Sequence, residues 1–217
     1  MHDLDQLPPR TRKPRGQGAS RRGEILAAAS RLFLEEGIEH ATMRRIAGQV
    51  GVSPTALYVY FPDKGSILRA IAEATFAELL AELEASQRAH VGLAQRFRAG
   101  LQTYIRFGLA HPDSYRLTFL SRTGAPLPCD DIGAADHSFA ILQQGVADMI
   151  EAGLFRPVHP HVAAEAIWAC LHGVTALLLD QAEHVETPPD QLIDHVIDTV
   201  IAGHLKADHC QLNAVQL

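Results

Sequence analysis

The chain carries three cysteines, Cys129, Cys170 and Cys210, in 217 residues. Their odd number, wide spacing and lack of any CxxC pair exclude a disulfide framework and a thiolate zinc site, so reduced thiols are expected. Long apolar runs are missing as well: no stretch approaches eighteen uninterrupted apolar residues, and the basic residues of the N-terminal MHDLDQLPPRTRKPRGQG lead into no apolar segment. Neither a membrane span nor a signal peptide is expected, and the default compartment is the cytoplasm. GxSxG, Walker, dinucleotide GxGxxG and paired-carboxylate signatures do not occur, so no enzyme activity and no cofactor is indicated. The 12 histidines raise a metal site. Yet His159 and His161, flanking Pro160, and the C-terminal His204 and His209 come with no HExxH, Cys–His cluster or convergent carboxylates, so no metal is expected.

Charge is unevenly placed. Residues 1–69 hold 11 Lys and Arg against 7 Asp and Glu, a net +4, while the remainder holds 8 against 18, a net −10. A positive first third suits a polyphosphate partner, and the acidic remainder suits solubility or another ligand.

Within the basic third, TMRRIAGQVGVSPTALYVYF (42–61) predicts two short helices joined by a tight turn. Ala47 is small enough for close helix crossing, Gly51 can take the positive φ of the turn, and Ile46, Val50, Val52, Leu57 and Tyr60 fall at inward positions. Thr42 is placed to cap the helix Met43–Val50. Ser53 then caps a helix from Pro54 to Tyr60, with proline at the first helical position, where its missing N–H is not needed. This is the layout of a helix-turn-helix that reads DNA.

Other helices follow from apolar spacing. Ile25, Ala28, Ala29, Leu32 and Phe33 mark Arg21–Glu36, stopped by Gly37. Asp63 is placed to start a long helix carrying Ile67, Leu68, Ile71, Phe76, Leu79, Leu80 and Leu83. Helical patterns continue from Leu93 to before Pro112, over Tyr115–Leu120, over Phe139–Ile150 ahead of Gly153, and over Val162–Gln181 and Leu192–Leu205. Residues 121–135 form a loop rich in Gly, Pro and Asp. With no strand-like alternation, the fold class is all-α: a three-helix helix-turn-helix headpiece and a larger helical domain. The expected boundaries are a basic arm at 1–19, the DNA-binding domain at 20–66, a helical ligand-binding and dimerisation domain at 67–207, and a tail at 208–217. The arm is either a solvated tail or a phosphate or minor-groove tether.

The segment ILAAASRLFLEEGIEHATMRRIAGQVGVSPTALYVYFPDKGSILRAI, within residues 21–72, closely resembles the headpiece of tetracycline-repressor (TetR) family regulators. Phe33, Gly37, Thr42, Ile46, Ala47, Gly51, Val52, Ser53, Leu57, Tyr58, Phe61 and Lys64 carry the likeness in register. HPDSYRLTF and Trp168, His172 and Gly173 in WACLHGV are similar to the WHG-type ligand domain of some members. The resemblance implies a homodimeric repressor whose third helix enters the major groove of a palindromic double-stranded operator, released by a small-molecule effector. A transcriptional activator or a metal-responsive sensor with the same headpiece is the alternative.

Residue chemistry then assigns contacts. With Leu57, Tyr60 and Phe61 inward, the third helix exposes Thr55, Ala56 and Val59, with Tyr58 at the flank. Thr55 can bond a base edge or phosphate, Ala56 and Val59 can meet a thymine methyl, and the Tyr58 hydroxyl suits the backbone. Arg44 is the expected guanine reader, on the family's pattern, and Arg45 is a base contact, a phosphate contact or a solvated charge. Thr42 and Lys64, at helix N-termini, are expected to position phosphates, and Ser53 is a further DNA-binding candidate. In the larger domain Tyr104, Phe107, Phe119, Phe139, Met149, Trp168 and His172 are candidate pocket residues, each equally suited to packing. The last two helices carry wide apolar faces, including Ala163, Ile167, Cys170, Val174 and Leu178, then Leu192, Val196 and Val200. These meet within one chain or form a four-helix dimer interface, and the resemblance favours the dimer.

Overall fold

The structure is a computed structural model that describes residues 18–120 and 133–206. The expected basic arm, Cys129, His209, Cys210 and the tail from 208 lie outside these residues, except for the helical backbone of 18 and 19. The described residues are helical, with α1 Gly18–Glu36, α2 Met43–Val50, α3 Pro54–Tyr60, α4 Lys64–Ala89, α5 Leu93–Ala110, α6 Pro112–Tyr115, α7 Gly133–Glu151, α8 Pro160–Asp180 and α9 Pro189–Ala202. They fall into two compact units, one ending at Lys64 and the other beginning at Gly65.

In the first unit Ile25, Ala29, Leu32, Ile46, Ala47 and Leu57 are fully or almost fully buried. Ala47 lets α2 approach its neighbours because a methyl adds little bulk at the crossing. The turn after α2 closes as a glycine C-cap: Gly51 has φ 70°, its N–H donates to Gly48 O at 3.1 Å, and Val52 N–H donates to Ala47 O at 3.0 Å. A Cβ at Gly51 would meet nothing within 4 Å. Gly51→Ala is therefore expected to cost only the left-handed strain, about 1–2 kcal/mol, read as a lower denaturant midpoint with an unchanged slope. Thr42 Oγ1 accepts from Arg45 N–H at 3.3 Å, and Ser53 Oγ accepts from Ala56 N–H at 3.1 Å, so both expected caps are made.

Tyr60 departs from its expected inward position and is 38% exposed. The helix ends there, and Phe61 turns into extended backbone at φ −142° and fills the inner place itself. Val50 and Val52 are only half-buried. Two cations tie the unit together. Lys64 Nζ donates to Ile38 O at 2.7 Å and Glu39 O at 3.2 Å, and Arg21 Nη1 donates to Val50 O at 3.3 Å.

The second unit packs α5, α7, α8 and α9 around a core that includes Phe97, Ile105, Tyr115, Val146, Ile167 and Ile197. α8 and α9 start earlier than their apolar patterns, at Pro160 and Pro189, because proline fits the first turn of a helix. α9 also stops at Ala202, short of Leu205. Leu205 instead forms an isolated antiparallel bridge with Phe155, supported by Arg156 N–H to His204 O at 2.8 Å. The segment expected as one short helix over 115–120 divides: α6 gives way to a π-helical turn, Arg116–Leu120. Arg116 pins that turn to the end of α8, through Asp180 at 2.9 Å and Leu179 O at 2.7 Å. Although Glu165 and His172 interrupt its apolar sequence, α8 is long and apolar enough to cross a membrane by length and composition. Seven of its residues, from Ala163 to Leu178, are buried in this unit, as befits a core helix.

Candidate functional site

In the first unit α3 presents Thr55, Tyr58 and Val59 to solvent, with Tyr58 52% and Val59 82% exposed, and Ala56 half-buried beside them. Burying Leu57 and Phe61 leaves those positions outward at the helical repeat. Such an exposed valine gains nothing in water. Thr42, Arg44, Arg45 and Ser53 are also exposed. Arg45, however, forms an ion pair with Glu36, so its guanidinium is partly committed inside the headpiece. Lys64 is half-buried and committed too, its ammonium bound to the two carbonyls that follow α1. Arg44 has no such internal bond among the described contacts.

The second unit contains a partly open cavity of about 750 Å3. Its walls come from α4 (Phe76, Leu79, Leu83), α5 (Phe97, Leu101, Tyr104), the π-helical turn (Thr118, Phe119), α7 (Phe139, Leu142) and α8 (Trp168, Leu171, His172). Five expected pocket residues, Tyr104, Phe119, Phe139, Trp168 and His172, are thus brought to one space. Phe107 and Met149 are not: both are buried core, and neither reaches the lining. Phe107 lies one turn beyond Tyr104 on α5 and packs its ring 4.6 Å from His111. Met149 lies beneath the chain reversal after α7, where Leu154 and Phe155 N–H both donate to its carbonyl at 3.0 Å.

A hydrogen-bonded chain of four rings runs along one side of the cavity, with Trp168, Tyr104 and His172 in the lining and Tyr115 buried behind them. Trp168 Nε1–H donates to the Tyr104 hydroxyl at 3.0 Å, the Tyr104 and Tyr115 hydroxyls lie 3.1 Å apart, and Tyr115 Oη lies 2.7 Å from His172 Nδ1. Burial raises the pKa of both phenols and lowers that of His172, so all are neutral near pH 7. An indole N–H only donates, so the Tyr104 oxygen accepts, and we assign the remaining directions so that no proton lacks an acceptor: the Tyr104 proton to Tyr115 and the Tyr115 proton to Nδ1 of His172. Each proton then has an acceptor, and His172 carries its own proton on Nε2.

Tyr115 is the residue that residue-type reasoning missed. It lies 57 positions before its partner His172, and the HPDSYRLTF likeness marked its segment without giving it a role. Thr118, three residues on, lies in the same segment and was likewise given no role. Among the described residues no group of three or more His, Cys, Asp and Glu could hold a metal ion. His161 instead lies 3.1 Å from Gln143 Oε1 and 3.3 Å from Glu165.

Comparison with known proteins accounts for both units. Residues 25–71 match the family "Bacterial regulatory proteins, tetR family", and residues 97–200 match "Tetracyclin repressor-like, C-terminal domain". The nucleoid occlusion factor SlmA of Haemophilus influenzae is 31% identical over 121 residues, 54% of this chain and 56% of its own. The transcriptional activator FasR of Mycolicibacterium smegmatis is 32% identical over 99 residues, 46% of this chain and 45% of its own. The chain thus spans about half the length of the curated relatives it matches. Over the whole fold, a protein of unknown function from Rhodococcus sp. RHA1 superposes with a TM-score of 0.75 at 26% identity, covering 90% of this chain and 100% of that one. The headpiece match, the larger-domain match and the exposed face of α3 converge: the chain belongs to the tetR family of DNA-binding transcription regulators.

Proposed function

We propose that the protein is a homodimeric repressor that binds a palindromic operator in the cytoplasm and is released by a small, mainly apolar effector. The observation that carries this reading is a cavity of about 750 Å3, within the size range of small-molecule sites, in the same chain as a DNA-reading headpiece. α3 lies in the major groove, with Thr55, Ala56 and Val59 at base edges and Tyr58 on the backbone. Its few hydrogen-bonding side chains leave much of the sequence reading to Arg44. Arg45 and Lys64 act mainly by holding the headpiece together, with Thr42 and Ser53 at the helix N-termini that face phosphates.

Release follows from linkage. Two headpieces must meet successive major-groove faces roughly 34 Å apart. A ligand that prefers another spacing lowers DNA affinity by its differential binding to the two states. α4, which starts at Lys64 and whose Phe76, Leu79 and Leu83 line the cavity, is the lever. Equal effector affinity for free and operator-bound protein in calorimetry would overturn this mechanism.

The DNA face is tested by selecting an operator from random DNA and titrating variants on it and on a scrambled duplex. Tyr58→Phe is expected to weaken binding to both alike. Arg44→Ala is expected to lose about 1–3 kcal/mol on the operator, with relaxed preference at one base pair, and little on the scrambled duplex. The opposite pattern rejects the assignment. Lys64→Ala is a poorer probe, because it also removes the bonds to Ile38 and Glu39. Activation is the second reading, favoured by the likeness to FasR. Deleting the gene raises output from the operator-bearing promoter if the protein represses, and lowers it if it activates.

A further inference from the structure

Hydroxyls on these helices are normally satisfied by the preceding turn: Thr75, Thr175 and Thr199 donate to Ile71 O, Leu171 O and His195 O at 2.9, 2.8 and 2.8 Å. Thr118 is different. It is 8% exposed, its Oγ1 is buried with no hydrogen-bond partner, and it lines the cavity. The π-helical turn Arg116–Leu120 shifts its backbone out of the ordinary register, and such turns persist mostly where they place a functional side chain. A buried hydroxyl without a partner is costly unless something satisfies it. The second donor at this wall is His172, whose Nδ1 is occupied by Tyr115 and whose Nε2–H has no partner among the described residues. Phe119, adjacent to Thr118, lies 5.9 Å from the His172 ring.

The geometry points to a polar subsite in the cavity, formed by the Thr118 hydroxyl and the His172 Nε2–H, that holds the uncharged carbonyl oxygen of a lipophilic ligand such as a ketone, ester or lactone. This assignment rests on the reading of the cavity as the effector site. The Thr118 hydroxyl can donate or accept, whereas His172 Nε2–H only donates, so a ligand atom that bonds to both is an acceptor. In the tautomer that gives every proton of the Trp168–Tyr104–Tyr115 chain an acceptor, His172 presents Nε2–H, which an ammonium ligand would meet N–H against N–H. A carboxylate could accept, but the cavity's charged side chains are Arg96 against Asp136, Asp148 and Glu165. Arg96 stands two turns before Tyr104 on α5, and neither α8 nor the π-helical turn adds a Lys or Arg to the described lining, so a carboxylate held between Thr118 and His172 would be poorly compensated. The apolar walls, including Phe76, Leu83, Phe97 and Leu142, take the hydrocarbon part.

Trp168 is the single tryptophan of the chain and lines the same cavity, so its emission reports binding to the full-length protein. The probes are 2-decanone, decanoate and decylammonium, matched in chain length. The ketone is expected to bind at least about tenfold more tightly than either ion, and Thr118→Val, which keeps the shape and removes the hydroxyl, to weaken the ketone about 5- to 10-fold while moving the ions little. His172→Phe is expected to do the same, and His172→Gln, which keeps a donor, to recover part of the loss. An ion that binds as tightly as the ketone, a ketone affinity unchanged in Thr118→Val, or no binding by any probe overturns the assignment, and leaves regulated DNA binding by another ligand standing. Selective ketone binding that leaves operator affinity unchanged in a parallel gel shift does the reverse: it upholds the subsite and overturns its role as the effector site.

Discussion

Gly173→Arg is expected to leave each protomer folded and yet to convert the proposed dimer to a monomer that no longer holds its operator. A Cβ at Gly173 meets nothing within 4 Å, and arginine favours a helix interior over glycine by roughly 0.5–1 kcal/mol, so the protomer tolerates the change. The consequence falls on the outer face of α8, where Ala166, Ala169, Cys170, Gly173 and Leu177 are exposed in one stripe. In the proposed dimer these small side chains let the α8 helices of two protomers approach closely, and an arginine at the centre holds them apart. A palindromic operator is bound with the avidity of two linked headpieces, so loss of the partner lowers affinity by about 10²–10⁴-fold. Light scattering after size exclusion, together with operator titration, measures both effects. A Gly173→Arg protein that stays dimeric with unchanged affinity refutes the placement of the interface on this face.

Gly108→Ala produces the opposite kind of damage, inside the protomer. A Cβ there would lie 2.5 Å from Thr175 Cγ2 and 3.0 Å from Tyr115 Cδ2 and Cε2. Both neighbours are fully buried, and Thr175 is β-branched and fixed by its bond to Leu171 O, so neither can simply swing aside. Overpacking of this kind costs about 1–3 kcal/mol, more than the roughly 1 kcal/mol that alanine gains over glycine in a helix. Because the displaced ring is Tyr115, the hydroxyl bridge to His172 should loosen at the same time, shifting Trp168 emission even where the protein remains folded. Gly100→Ala on the same helix is the control: its Cβ meets nothing within 4 Å, so it should be neutral or stabilising. Urea unfolding should therefore show a loss of stability in Gly108→Ala and none in Gly100→Ala, and equal effects would show that the close approach at Gly108 is not what holds Tyr115.

The proposed dimer face shows where pattern and packing part company. Ala163, Ile167, Val174 and Leu178 on α8, and Ile193, Ile197, Val200 and Ile201 on α9, read as apolar surface in excess of one core, yet all are buried within the chain. What remains outside is a narrower set, with Cys170 and Leu177 on α8 exposed and Leu192 and Val196 on α9 half-buried. Helical periodicity identifies which residues share a face but not how many neighbouring helices cover it.

By itself the sequence determined the helix-turn-helix, its two capping residues, its left-handed glycine and the all-helical class, because each depends on interactions within a few residues: a side-chain oxygen and an N–H three positions on, a φ value, a 3.6-residue repeat. The family likeness rests on the same local chemistry. Tertiary structure alone decided the rest. The salt link of Arg45 to Glu36 and the bonds of Lys64 to Ile38 and Glu39 join segments that only folding brings together. The choice among aromatic residues between cavity and core, the path from Trp168 to His172 and the unpartnered hydroxyl of Thr118 depend on side chains from separate helices meeting at hydrogen-bond distance. No repeat along one helix encodes such a meeting, since it is set by how the helices cross.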